Sequence, residues 1–321
     1  MRHIQQIRLP MKENIPHQPV LYNEIINLLQ PHPTGRYVDG TVGAGGHARG
    51  ILKASDPDGL LLGFDVDAQA LQLARTQLDI YSNRVTLVQT SFKNLSEQLT
   101  AQGWHKVDGI LLDLGISSMQ LDTPERGFSF RKDAFLDMRF DLQNPIRAID
   151  LVNNHSEKEL ADLLYTYGEE RRSRQVARAI VRARPVETTL QLANVVAGAT
   201  RSGKPGMHPA TRTFQALRIA VNQELDNLIE VLPQAINSLL PGGRLAVISY
   251  HSLEDRIVKH HFRTESKDCI CPPKQPICDC GHLASIKIIT KRLIRPQDGE
   301  IQGNPRARSA RLRVAEKISS E

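Results

Sequence analysis

Short apolar runs alternate with helical periodicity along the first third of the chain. Arg36 to Asp39 reads as a strand running into a glycine-rich turn, Gly40-Thr-Val-Gly-Ala-Gly-Gly46, with a helical stretch behind it. Leu60 to Asp65 reads as a second strand. From Ala68 to Leu78 the apolar residues Ala70, Leu71, Ala74 and Leu78 recur at helical spacing. Val85 to Val88 gives a third strand. Val107 to Leu112 gives a fourth, apolar enough to be buried on both faces, as parallel strands are. Such strand–helix alternation places a parallel sheet beneath covering helices, so the fold class is α/β.

Beyond Asp122 the pattern changes. Up to about His208 the chain carries helical and loop signals with many charges and no convincing strand. Glu157 to Tyr167 and Glu169 to Arg184 read as two helices joined near Gly168. A strand returns at Arg244 to Ser249, after the turn Pro241-Gly-Gly243. The economical division is a sheet domain over 17–121 and 209–321, an inserted helical domain over 122–208, and a flexible N-terminal extension over 1–16.

A length of 321 residues accommodates two such units, and 40% hydrophobic with 24% charged residues excludes disordered and collagen-like chains. No apolar run reaches the roughly 18 residues of a membrane span. The basic start, Met1 to Pro16, lacks the apolar core and small-residue cleavage site of a secretory signal. Four cysteines make no disulfide scaffold, so the expected setting is the cytoplasm, with no membrane partner. Charge adds a location. The net +6 sits in Ile257 to Glu321, which holds thirteen basic and seven acidic residues. That balance suits a polyanionic partner, and equally a solvated basic surface.

The glycine-rich turn sits where a strand hands over to a helix, so its backbone can approach a ligand and the helix N-terminus favours negative charge. Asp65 ends the next strand about twenty residues later, where a carboxylate can bind a ribose diol. The spacing is not that of a dinucleotide fingerprint, because Gly46 directly follows Gly45 and the third position is Ala48. Asp39, just before the turn, is placed to face an amino-acid moiety. Together these favour S-adenosylmethionine over a nicotinamide cofactor. A hydride-transferring enzyme would also need a constellation that the chain does not offer.

After the fourth strand, Asp113-Leu-Gly-Ile-Ser117-Ser-Met-Gln120-Leu-Asp122 forms a polar loop at the ligand side of a parallel sheet. The exocyclic amine of a nucleobase is a poor nucleophile, because its lone pair is delocalised into the ring. Acceptors for its hydrogens localise that pair and aim it. Asp113 and Ser117 are the expected catalytic acceptors; local loop capping is the alternative.

These blocks, with Glu125-Arg-Gly-Phe-Ser-Phe130, His208-Pro-Ala-Thr-Arg-Thr-Phe-Gln-Ala216, Ser249-Tyr-His-Ser-Leu-Glu-Asp-Arg256 and Asn304-Pro-Arg-Ala-Arg-Ser309, carry a resemblance. From about His17 to Lys317 the chain resembles the bacterial small-subunit ribosomal RNA cytosine-N4 methyltransferases, the RsmH (MraW) family. The resemblance implies a Rossmann-like S-adenosylmethionine-dependent methyltransferase sheet with an inserted helical domain. It implies methyl transfer to N4 of a decoding-centre cytosine in 16S rRNA, with the small ribosomal subunit as partner. It places cofactor contacts on Gly45, Gly46, His47, Asp65, Phe92, Asp113 and Gln120. Chemistry alone leaves DNA open, and only the resemblance decides for RNA. A non-catalytic assembly factor would have no reason to keep the turn, Asp65 and Asp113 together. A homodimer stays open.

Two features stand outside that set. Arg171, Arg174, Arg178 and Arg182 fall on one helical face opposite Val176, Ile180 and Ala183, as either a phosphate-tracking surface or a solvated one. His208, Arg212, Arg218, His251 and Arg256 lie in family blocks and are candidates for a substrate channel. All four cysteines fall in Cys269-Ile-Cys271-Pro-Pro-Lys-Gln-Pro-Ile-Cys278-Asp-Cys280. Two C-x-C pairs can offer four thiolates to a structural zinc; reduced free thiols and a redox role are the alternatives.

Overall fold

The computed structural model describes residues 19–200, 208–272, 275 and 277–319; the extension expected over 1–16, and His17, lie outside the described residues. The strands are β1 Arg36–Asp39, β2 Leu60–Asp65, β3 Val85–Gln89, β4 Val107–Asp113, β5 Leu239–Ser249, β6 Ile286–Ile288 and β7 Arg311–Lys317. They form one sheet in the order β3-β2-β1-β4-β5-β7-β6. The neighbours from β3 through β5 are parallel, whereas β7 runs antiparallel to both β5 and β6. From β1 the chain winds outward to β3, then crosses back to β4 on β1's other side. The topological switch point, where open sheets bind ligands, therefore lies between β1 and β4.

Successive apolar residues in these strands serve two different cores. Val38, Leu62, Ile110, Leu112 and Val247 face one side, against Leu228, Leu232 and Ile236 of the helix Glu224–Ser238 and Phe262 of the helix Ser252–Glu265. Tyr37, Leu61, Leu111, Ala246 and Ile248 face the other, against Ile25, Ile51, Leu52 and Leu71 of the helices Tyr22–Leu29, Gly46–Ala54 and Ala68–Gln77. Burial on both faces is why these strands read as continuous apolar runs.

A separate helical core gathers Leu151, Val152, Leu160, Leu164, Val176, Ile180, Leu192 and Val196. It continues through Phe214, Leu217 and Val221 of the helix Thr211–Asn222, whose apolar side packs on Glu157–Gly168. The helical packing thus passes the boundary drawn at 208 in the sequence. The arginine helix spans Ser173–Ala183 rather than starting at Glu169, because Glu169 adopts the left-handed conformation (φ 49°) that ends the preceding helix. Val176 and Ile180 are buried while Arg174, Arg178 and Arg182 are exposed, as the periodicity requires; Ala183, at the helix end, is also exposed. Arg184 instead turns inward onto the carbonyls of Val152 and His155.

Two differences concern the last third of the chain. β5 begins at Leu239, not Arg244, with a register shift that accommodates 240–243. β6 and β7 carry no apolar run long enough to be noticed. In β7 the charges are neutralised across the sheet and beside it, Arg313 by Asp255 at 2.7 Å and Glu316 by Arg244 at 2.8 Å. The segment Pro305–Ser309 is a 3-10 turn.

Candidate active site at the carboxyl edge of the sheet

The ends of β1, β2 and β4 bring three carboxylates together around the glycine-rich turn. Main-chain bonds fix that turn, with Gly40 N–H on Leu111 O (2.9 Å) and Val42 N–H on Phe64 O (2.8 Å). Asp65 Oδ2 accepts from Gly43 N–H at 2.9 Å and Oδ1 from Asp67 N–H at 2.9 Å, so Asp65 holds the turn as well as facing the cleft. Gly45 sits at φ +92°, which other residues rarely adopt, and starts the helix Gly46–Ala54. Gly46 is small for packing: a Cβ there would stand 2.5 Å from Pro19.

Asp39 is 1% exposed, accepts from Thr41 N–H at 3.1 Å, and its carboxyl is pushed up to about 7 by burial, against the pull of His47. Burial likewise pushes Asp65 up to about 6, opposed by the Asp67 and Gly43 N–H groups. His47 is buried against the Tyr22 ring, and neither ring nitrogen has a hydrogen-bond partner among the described residues. Its Nε2 lies 3.6 Å from Asp113 Oδ2. A buried cluster of acids beside an unpartnered imidazole calls for a ligand with positive charge and hydrogen-bonding groups.

Asp113 is the half-open member of the set. Its N–H donates to Thr41 Oγ1 at 2.6 Å, tying β4 to the turn. The Tyr250 hydroxyl donates to its Oδ1 at 2.9 Å, leaving Oδ2 facing His47 and the cleft. Burial, and then the charge of Asp113, push the Tyr250 phenol well above its ordinary value, so it stays a donor. Tyr250 is itself held from behind, with its N–H on Glu254 Oε2 at 2.8 Å. Burial works against ionised Glu254, but His251 and Arg218 hold its carboxyl below the ordinary range. Glu224, His251 and Glu254 approach one another as metal ligands would, yet Arg218 takes both Glu224 oxygens at 2.8 and 2.9 Å. This is an ion-pair network behind Tyr250, and in it Arg218 has a structural role.

The loop after β4 folds differently from a set of free acceptors. Ser117 caps the short helix Ser118–Asp122, accepting from Gln120 N–H at 3.2 Å, while Gln120 Oε1 accepts from Ser117 N–H at 3.1 Å. Gln120 is 5% exposed, and its Nε2 donates to Asp67 Oδ2 at 3.0 Å. Arg126 adds a second bond to that oxygen at 2.8 Å and reaches the carbonyls of Arg139 and Phe140, each at 2.9 Å. Phe92 follows β3, packs on the sheet core and approaches Gly40, whose absent Cβ would stand 3.2 Å from the Phe92 Cβ. Asp39, His47, Asp65 and Asp113 therefore gather at the carboxyl edge of the sheet, with Phe92 against the turn. Ser117 and Gln120 hold the loop after β4. Asp67, Arg126 and Tyr250 complete the surroundings; the last two lie in the blocks that carry the resemblance, but local sequence gives no sign of these bonds, because the partners lie 53 to 137 positions away.

The remaining arginine candidates pair with acids near the cleft, Arg256 with Glu169 at 2.8 Å and Arg212 with Glu170 at 3.9 Å. His208 packs on the Phe130 ring. Among the described residues no helix is long and apolar enough to cross a membrane.

Comparison with known proteins agrees with this architecture. The sequence model of the MraW methylase family matches residues 14–318. The ribosomal RNA small subunit methyltransferase H of Geotalea uraniireducens is 52% identical over 94% of this chain and 98% of its own. The protein of that name from Heliobacterium mobile is 49% identical over 94% and 99%. The crystal structure of an rRNA methylase from Streptococcus thermophilus overlays 93% of this chain and 94% of its own at 12% identity and a TM-score of 0.42, too loosely to place any residue. Both the family match and the close relatives run through sheet, helical core and cysteine loop alike, and the chain belongs to the MraW methylase family: it is a methyltransferase.

Proposed function

We propose that the chain uses S-adenosylmethionine to methylate N4 of a decoding-centre cytosine in 16S rRNA of the small ribosomal subunit, and that it does so in the cytoplasm. The observation that carries this reading is Asp113, whose one oxygen is fixed by Tyr250 while the other is turned to the cleft at the switch point. The names of relatives about half identical supply the substrate class. The helical core, with the sequence boundary at 208 moved past the helix Thr211–Asn222, is read as the inserted domain that borders the RNA.

The residues present fit the cofactor. Asp39, Asp65 and Asp113 form a negative cluster for its ammonium and sulfonium charges, and His47 is an unpartnered buried polar group beside them. Asp65 would hold the ribose and Phe92 would flank the adenine. When bound, S-adenosylmethionine supplies an electrophilic methyl group. Asp113 Oδ2 accepts a hydrogen from the target amine, which localises the nitrogen lone pair and aims it along the transfer axis. As the nitrogen becomes cationic, the same carboxylate stabilises it and takes its proton. Tyr250 and Thr41 keep Asp113 from rotating away. Ser117 would set the base from the cap of the neighbouring helix. A recess of about 650 Å³ lined by Arg131, Arg306 and Arg308 lies beside Asp122, the end of that loop, and suits an RNA phosphate.

The direct test incubates the protein with labelled S-adenosylmethionine and unmethylated small subunits, with naked ribosomal RNA in parallel, and analyses digested nucleosides by mass spectrometry. N4-methylcytidine is expected. A different methylated nucleoside would replace the target assignment, and no product despite bound cofactor would overturn it.

The acid cluster adds a pH dependence. Free Asp39, at about 7, is mostly protonated at pH 6 and mostly ionised at pH 8, and a cationic ligand binds the ionised form. Cofactor affinity is therefore expected to tighten about tenfold from pH 6 to pH 8, with a proton released on binding. Calorimetry in buffers of different ionisation enthalpy measures both. Asp39→Asn should flatten the profile, and a flat profile in the unaltered protein would exclude Asp39 from the cofactor site.

A further inference from the structure

The four cysteines form a partly exposed cluster in the loop between the helix Ser252–Glu265 and β6, outside the candidate active site. Their sulfurs stand 3.9 Å apart for Cys271 and Cys278, 3.6 Å for Cys278 and Cys280, and 4.0 Å for Cys280 and Cys269. All four lie within 4.8 Å of one another. A tetrahedron of zinc–sulfur bonds of about 2.3 Å has sulfur–sulfur edges of about 3.8 Å. Disulfides would instead draw the sulfurs into two pairs at about 2.05 Å. The arrangement matches a four-thiolate metal shell in number and in these three spacings.

The surroundings agree. His282 is committed elsewhere: its Nδ1 lies 2.8 Å from Lys267 O and its Nε2 3.8 Å from Glu265, so the donor set is four cysteines rather than three and a histidine. The base of the loop is closed by Ser285 N–H on Glu265 O at 2.8 Å and Ala284 N–H on Asp268 Oδ1 at 3.2 Å. Among the described residues its apolar side chains Ile270, Ile277 and Leu283 are 47%, 77% and 77% exposed, so they contribute little burial to hold the loop, and a metal clip would supply what they do not.

We propose that Cys269, Cys271, Cys278 and Cys280 bind one zinc ion that clips the loop before β6. The site is structural. The helix Ser252–Glu265 begins beside Tyr250 and its fourteen residues carry the chain about 21 Å away before the cysteines start. All four thiolates close the shell, leaving no open position for a reacting water. The inference stands independently of the methyl-transfer reading.

The test uses the full chain purified under reducing conditions without chelator. About one zinc per chain is expected by elemental analysis, released to a colorimetric chelator when a mercurial titrates the thiols. Metal-free protein given cobalt(II) should develop the charge-transfer and d–d bands of tetrahedral thiolate-bound cobalt. Cys278→Ser with Cys280→Ser should lose the zinc and expose the loop to proteolysis while leaving cofactor affinity unchanged. Four freely reactive thiols with no zinc and no cobalt–thiolate spectrum would overturn the proposal, as would full zinc retention in the double variant. If that variant does not fold, the metal content and cobalt spectrum of the unaltered protein decide alone.

Discussion

Asp113→Ala is expected to lower turnover about a hundredfold to a thousandfold at saturating S-adenosylmethionine, the range typical for removing one preorganised polar group that acts on developing charge. The reasoning rests on how little freedom the carboxylate has. Its backbone is pinned to Thr41, one oxygen receives the Tyr250 hydroxyl, and the other has only a buried imidazole 3.6 Å away. An acceptor held this way meets the amine without reorganising, which is where most of its effect would lie. Asp113 also borders the cofactor, so affinity must be measured apart from rate. Single-turnover kinetics at saturating cofactor, with Kd from calorimetry, separates the two. Tyr250→Phe, which frees Asp113 without removing it, should fall between the variant and the unaltered protein. If Asp113→Ala binds cofactor weakly but turns over normally once saturated, its role is binding alone and the amine acceptor must be sought elsewhere.

The sheet and the three acids at its edge were legible for a shared reason. Strands buried on both faces must be apolar throughout, so β1, β2 and β4 stand out, and each stops in a polar residue at the carboxyl edge, Asp39, Asp65 and Asp113. β7 escaped because Arg311, Arg313 and Lys317 alternate with its apolar positions and their charges mask Leu312 and Val314. The helical core was visible as periodicity, but its extent was not, since the helix Thr211–Asn222 could pack on either core. Gln120 shows the limit most clearly. Its amide bonds both Ser117 and Asp67, a tie between two loops that its place in the motif does not announce. A partner 53 positions away leaves no trace in local sequence.

That same junction gives the largest expected stability effect. Arg126→Ala should destabilise the protein by about 3–5 kcal/mol, because it strips a buried carboxylate of its counter-charge rather than merely removing a contact. Arg126 and Asp67 are 6% and 3% exposed, and no water can replace the guanidinium cheaply. Arg126 also carries two carbonyls of the segment Arg139–Phe140, and Asp67 caps the helix Ala68–Gln77 through Gln69 N–H at 3.0 Å. The pair thus ties the start of the helical core to the loop after β2. Its loss should uncouple the two cores as well as weaken them. Trp104, the chain's one tryptophan, packs on the sheet core, so its fluorescence follows that core while far-ultraviolet circular dichroism is weighted towards the helices. In urea the two signals should coincide for the unaltered protein and separate for Arg126→Ala, the dichroism falling first. Asp67→Asn combined with Arg126→Met removes both charges and should recover part of the loss, since neither is then left unpaired. A loss below about 1 kcal/mol, the ceiling of an ordinary surface pair, would mean that the two cores are held together by apolar contact and that the ion pair is incidental.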